Sequence, residues 1–168
     1  MFHQEQVPEA QELEALMQQR ADVKAGEVRR ACSLLGCEEL YFLGFDDAVL
    51  LVTEAAVKQV ASLVRQVRPH VILTHFPREG STNTNAHAIG GQIALYGVQL
   101  AGTVDPGDTN PPHKVSQVFF FGTGGAPLPR DVWGSEGGFY NDVFIDITDV
   151  VKKKLAALDP LVSQGYGG

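Results

Sequence analysis

The chain has 168 residues, a formal net charge of −7 and a pI near 5.1, which leaves room for one ordinary domain and sets the acid balance against binding a phosphate backbone. With 44% hydrophobic and 20% charged residues it has the composition of a globular protein that buries a core. It has no apolar run of the ~20 residues that a membrane span needs, and the start, MFHQEQVPEAQE, lacks the basic-then-apolar layout of a signal peptide. A soluble, cytoplasmic protein that engages neither nucleic acid nor membrane is expected.

Residues 9 to 35 read as helical, because Leu13, Leu16, Met17, Ala21, Val28, Ala31, Leu34 and Leu35 follow a 3.6-residue period. Gly26 predicts a kink or a division into two helices, and Gly36 is the expected stop. Residues 39–45, ELYFLGF, read as a short buried strand with Asp46 and Asp47 at its carboxyl end. Thr53 is the expected cap of a helix through Gln66, and Pro69 separates that helix from a second apolar strand, HVILTHF, at 70–76. A polar loop leads to a helix over 85–100, capped by Thr84 or Asn85. Residues 103–114 form a loop, SQVFFFGT (116–123) a third strand and DVFIDI (142–147) a fourth, and Thr148 caps a last helix. In that helix Lys152, Lys153 and Lys154 read as a solvated face near its C-terminal half. Strands alternating with helices imply parallel strands and right-handed crossovers, so the expected class is a doubly wound α/β fold.

In open α/β sheets, ligands bind beyond the carboxyl ends of the strands. Asp46 and Asp47 end the first expected strand, His75 ends the second, and His87 occupies the first turn of the helix that follows. The positive end of a helix dipole favours the neutral imidazole, the form that ligates metals. The structural alternatives stand beside these: His75 as a hydrogen-bonded strand-end residue, Asp46 and Asp47 as turn and cap residues. Cys32 and Cys37 have no second pair, so neither a disulfide framework nor a cysteine zinc site is indicated. Gly122-Thr-Gly-Gly125 follows a strand but lacks the spacing of a phosphate loop.

Four segments taken in order resemble the LmbE/PIG-L family of zinc-dependent N-deacetylases. They are KAGEVRRACSLLGCEELYFLGFDD (24–47), RPHVILTH (68–75), NAHAIGGQIALYG (85–97) and DVFIDITDVVKKKLAAL (142–158). The first carries the spacing of the family's R-x-x-E-x-x-x-A-x-x-x-L-G helix end, with Lys24 in place of the Arg. The resemblance spans about 24 to 164. It implies a Rossmann-like three-layer fold with a mainly parallel sheet, and removal of an acetyl group from an N-acetylated amino sugar or related amide.

In this family zinc is held by a His and an Asp of an A-H-P-D-D-E motif and by the last His of H-x-D-H, while the other Asp of the first motif acts as base. His87 matches the last of these ligands. Asp47, Lys24, Asn85 and His75 are the expected substrate-side residues, and no catalytic residue is assigned. The A-H-P-D-D-E segment has no counterpart here. Residues 1–168 are accordingly expected to be a single domain of this family, incomplete at both ends and missing its first strand–helix–strand unit. Two further readings stay open: a hydratase of the same superfamily acting on an unsaturated dicarboxylic acid, and a non-catalytic module that forms a homo-oligomer through an exposed sheet edge.

Overall fold

The computed structural model describes residues 10–45, 51–78, 85–121 and 143–166. They belong to two compact units, the first formed by 1–42 with 145–168 and the second by 43–144.

In the first unit, α1 (Ala10–Leu35) is a single helix. The helix runs unbroken through Gly26 despite a penalty of about 1 kcal/mol, so the expected division does not occur. Two residues of the family-like motif on α1, Glu27 and Ala31, are buried in this unit. Glu27 is only 4% exposed and accepts hydrogen bonds from the Ser163 backbone N–H (3.0 Å) and hydroxyl (2.6 Å). The Ser163 hydroxyl, then the Ser163 N–H, hold its carboxyl below the usual range despite burial, with Arg30 and Lys24 adding positive charge nearby. Ala31 is buried on the same face. The helix ends where Gly36 takes a left-handed φ of 84°; its N–H bonds the Ser33 carbonyl (3.1 Å) and the Cys37 N–H bonds the Cys32 carbonyl (2.9 Å), the paired closure of a Schellman turn.

Opposite α1 lie a 3-10 turn (Thr148–Val150), α4 (Val151–Leu158) and a second 3-10 turn (Val162–Gln164). Thr148 does not cap this segment: the N-cap position is Ile147, and Thr148 donates its N–H (2.9 Å) and hydroxyl (2.6 Å) to Asp146 Oδ1. Lys152, Lys153 and Lys154 fall in the first turn and a half of α4 rather than its C-terminal half.

The second unit contains α2 (Glu54–Val67), β1 (Val71–His75), α3 (Ala86–Ala101) and β2 (Gln117–Phe121). The Thr53 side chain caps α2 by accepting from the Ala56 N–H, as its type and position predict. Arg68 closes α2 in the left-handed region (φ 55°), its N–H on the Val64 carbonyl; Pro69 disfavours the helical alternative for the residue before it. Strands β1 and β2 pair in parallel, Val71 opposite Gln117 and His75 opposite Phe121, so the α/β class with a parallel sheet holds.

The helices pack through small residues. Ala56, Ile89 and Ile93 form one cluster with Val52 and Val60, and Ala61, Val64 and Ala101 another with Ile72, Leu100 and Val115. A Cβ on Gly97 would lie 2.5 Å from Val60 Cγ1, so the helices approach at a distance that only glycine allows.

A buried cation ties this unit together. Arg65, 1% exposed, donates to the carbonyls of Leu100 (2.8 Å), Thr103 (3.1 Å) and Ala101 (3.3 Å) and to Asp108 (2.8 Å). It thus adds donors at and just after the carboxyl end of α3, beside the Thr103 N–H on the Leu100 carbonyl and the His113 N–H on the Ala101 carbonyl. The Asn110 backbone N–H, then Arg65, bring the Asp108 carboxyl down to about 2.

Two expected strands do not form: 39–45 and 143–147 have no regular secondary structure. Their apolar patterning suits a strand, but a strand also needs a partner ladder, and none forms there among the described residues. The sheet is less buried than the apolar runs suggest, with Leu73 65% exposed on the face away from α2 and α3.

Candidate active site at the carboxyl end of the strands

The site is built by β1, the start of α3 and the last residue of β2. Asn85 caps α3 as expected, its Oδ1 accepting from the Ala88 N–H at 2.7 Å. This fixes the helix start and places His87 in the first turn, exposed. Two contacts pin α3 against the end of β1. A Cβ on Gly91 would fall 2.3 Å from the His75 carbonyl oxygen, and Gln92 Nε2 donates to the Pro77 carbonyl at 3.1 Å.

The consequence is a histidine pair. The His75 and His87 rings stack with centroids 4.6 Å apart and planes 1° from parallel. Phe121, opposite His75 in the sheet register, tilts 55° against its ring at 4.5 Å. Phe76 and Phe120 meet edge to face at 5.4 Å, and the Phe76 N–H carries the ladder one step further by bonding the Phe121 carbonyl (2.9 Å). Two stacked imidazoles, one of them backed by the Phe121 ring, therefore stand at the strand end where parallel α/β sheets bind ligands.

Of the residues singled out in the sequence, the structure brings together His75, His87 and Asn85. Lys24 lies in the first unit, on α1 one turn before Glu27. Asp46, Asp47, Thr84 and the glycines of 122–138 lie outside the described residues. Phe121 and Gly91 were not singled out by sequence. The signal for Phe121 is register, since two parallel strands of equal length place their last residues side by side; that for Gly91 is a glycine inside a helix facing a strand end. A cavity of about 430 Å³ between α2 and the loop after α3, lined by Lys58, Ser62, Asp105, Asp108 and Asn110, does not include the histidine pair.

The second unit is thus a parallel α/β unit with paired histidines at the carboxyl end of its strands. The chain belongs to the PIG-L family: the family model described as PIG-L, GlcNAc-PI de-N-acetylase, matches residues 2–96, more than half of it. It is 25% identical over 146 residues to the diacetylchitobiose deacetylase of Thermococcus kodakarensis, a match covering 82% of this chain and 48% of that protein. The chain thus spans about half the length of this curated relative. It is also similar in structure to the conserved protein TT1542 from Thermus thermophilus, with a TM-score of 0.67 and 22% identity over 87% of this chain and 60% of that one. That likeness shows the fold. Among the described residues, no helix is long and apolar enough to cross a membrane.

Proposed function

We propose that this chain contributes the strand-end part of a hydrolase site that removes the acetyl group from an N-acetylated amino sugar. The observation that carries the reading is the stacked His75–His87 pair at the carboxyl end of the parallel strands, in a chain of the PIG-L family. A 25% identical relative named diacetylchitobiose deacetylase supports an acetamido sugar as the substrate class. In this reading His75, Asn85 and Asp47 are substrate-side residues, the imidazole of His75 facing the amide group and the Phe121 ring beside it limiting water on one side.

The resemblance assigns zinc to such a site, and His87 enters as one ligand on that basis. The described residues do not by themselves fit a zinc ion. A catalytic zinc takes three protein ligands, and no group of three His, Cys, Asp or Glu side chains able to hold a metal occurs among the described residues. Nor does the histidine pair chelate as it stands. A metal at about 2.0–2.1 Å from an imidazole nitrogen lies in the plane of that ring, and two stacked parallel planes share no such point.

The test is release of free amine from N-acetylglucosamine and its short β-linked oligomers, with and without added zinc, by the wild type and by His87→Ala. Amine release that falls at least about 100-fold in the variant supports the proposal. No release from any acetylated amino sugar, or equal release by His87→Ala, overturns it.

A further inference from the structure

Cys32 and Cys37 are the two cysteines of the chain, and the proposed hydrolysis uses neither. The turn that ends α1 joins them directly: the Cys37 N–H donates to the Cys32 carbonyl at 2.9 Å, around the left-handed Gly36. These are the two positions of a Schellman turn whose side chains face each other, usually as an apolar contact. Here both are thiols. A disulfide requires α-carbons about 4.4–6.8 Å apart, and one N–H···O=C bond between two residues holds their α-carbons at roughly 6 Å. Cys37 is exposed and Cys32 half-buried, so one thiol meets solvent while the other waits behind it.

We propose that Cys32 and Cys37 form a redox-active dithiol that closes to an intramolecular disulfide across the C-terminal turn of α1, with a small-molecule disulfide as the oxidant. The Cys37 thiolate attacks one sulfur of the external disulfide, forming a mixed disulfide and expelling one thiolate. Cys32 then gives up its proton and attacks Cys37 Sγ, expelling the second. The net change is one protein dithiol plus one disulfide giving one protein disulfide plus two small thiols, with two electrons passing to the oxidant. Burial pushes the Cys32 thiol up, and the neighbouring Cys37 acts in the same direction, which suits Cys32 to the second, resolving step.

The test is incubation of the reduced full chain with oxidised glutathione, trapping with N-ethylmaleimide, and intact mass spectrometry beside a non-reducing gel. Because there are only two cysteines, an intramolecular disulfide has one assignment. The expected result is a fall from two free thiols to none, with loss of two hydrogens, no retained glutathione and no linked dimer. Cys32→Ser is expected to hold a stable glutathione adduct on Cys37, and resolution in the wild type to slow about tenfold in denaturant, where the turn no longer presents the two sulfurs to each other. Two persisting thiols, a stable glutathione adduct on the wild type, linked dimers as the main product, or resolution equally fast in denaturant overturns the proposal. The wild-type outcomes decide it even if the serine variant does not fold.

Discussion

Gly91 of α3 faces the backbone carbonyl of His75 so closely that a side-chain carbon there would lie 2.3 Å from the oxygen and 3.0 Å from the carbon. This approach brings the first turn of α3 over the end of β1 and so sets the His87 ring on that of His75. Nothing at this contact is free to yield, because the atoms met are backbone, the Phe76 carbonyl carbon at 3.1 Å included.

Gly91→Ala is therefore expected to destabilise the second unit by about 1–3 kcal/mol, the usual cost of forced overpacking, although alanine is worth about 1 kcal/mol over glycine within a helix. Its neighbour is the control. A Cβ on Gly90 would meet nothing within 4 Å, so Gly90→Ala is expected to stabilise by about 0.5–1 kcal/mol. Urea denaturation of the two variants side by side checks both signs.

Phe121→Ala removes the ring tilted against His75 and leaves the strand register intact. Such an aromatic contact contributes about 0.5–1.5 kcal/mol beyond its buried area. The expected outcome is a modest fall in melting temperature together with loss of amine release, since the imidazole loses the wall that keeps its orientation. Thermal melts and the deacetylation assay measured on one preparation separate the two effects.

Arg65→Met removes the cation paired with Asp108 and one donor each from the carbonyls of Leu100, Ala101 and Thr103. Breaking a buried pair from one side costs about 3–5 kcal/mol, so this variant is expected to unfold the second unit or lower its denaturation midpoint severely. Acid sensitivity follows from the partner. The Asp108 carboxyl is held at about 2 in the fold, below its unfolded value, so its contribution is complete above the unfolded range near pH 4 and is lost as pH falls towards 2. Asp108→Asn is expected to be less stable at pH 7 and to show a flatter acid limb in a pH series of urea titrations.

Glu27 holds the 162–164 turn through the Ser163 N–H and hydroxyl. Its carboxyl lies below the usual range, so the stability it contributes is present above the ordinary Glu range and disappears as pH falls through the lower, folded value. Glu27→Ala is expected to release the segment after α4 while leaving α1 helical. Faster limited proteolysis near residue 163, with unchanged far-ultraviolet circular dichroism, is the measurement; unchanged proteolysis would count against the role assigned to this residue.

Much of the local structure was legible in the residues because its causes are local. Thr53 and Asn85 cap their helices through their own side chains, Gly36 stops α1 because it accepts a positive φ, and Pro69 separates α2 from β1. The His75 and His87 positions were legible too, since a strand end and a helix start flank one loop. The unformed strands at 39–45 and 143–147 mark the boundary of this logic: alternation and apolarity describe a surface that suits a sheet, whereas the ladder bonds must come from elsewhere in the chain. Glu27 belongs to the same lesson, for its spacing on α1 matched a family motif while its partner, Ser163, is remote in sequence.

By itself, the order of residues determined the class of fold, the helix caps, the family resemblance and the two histidines at one loop. Those follow from propensity, periodicity and spacing, which act over a few residues at a time. Only the tertiary structure decided that the two imidazoles stack, that Phe121 backs one of them, that Gly91 must be glycine and that Arg65 closes the end of α3. Each of these depends on atoms brought together from distant parts of the chain, where packing distance and the need to satisfy buried polar groups outweigh local preference.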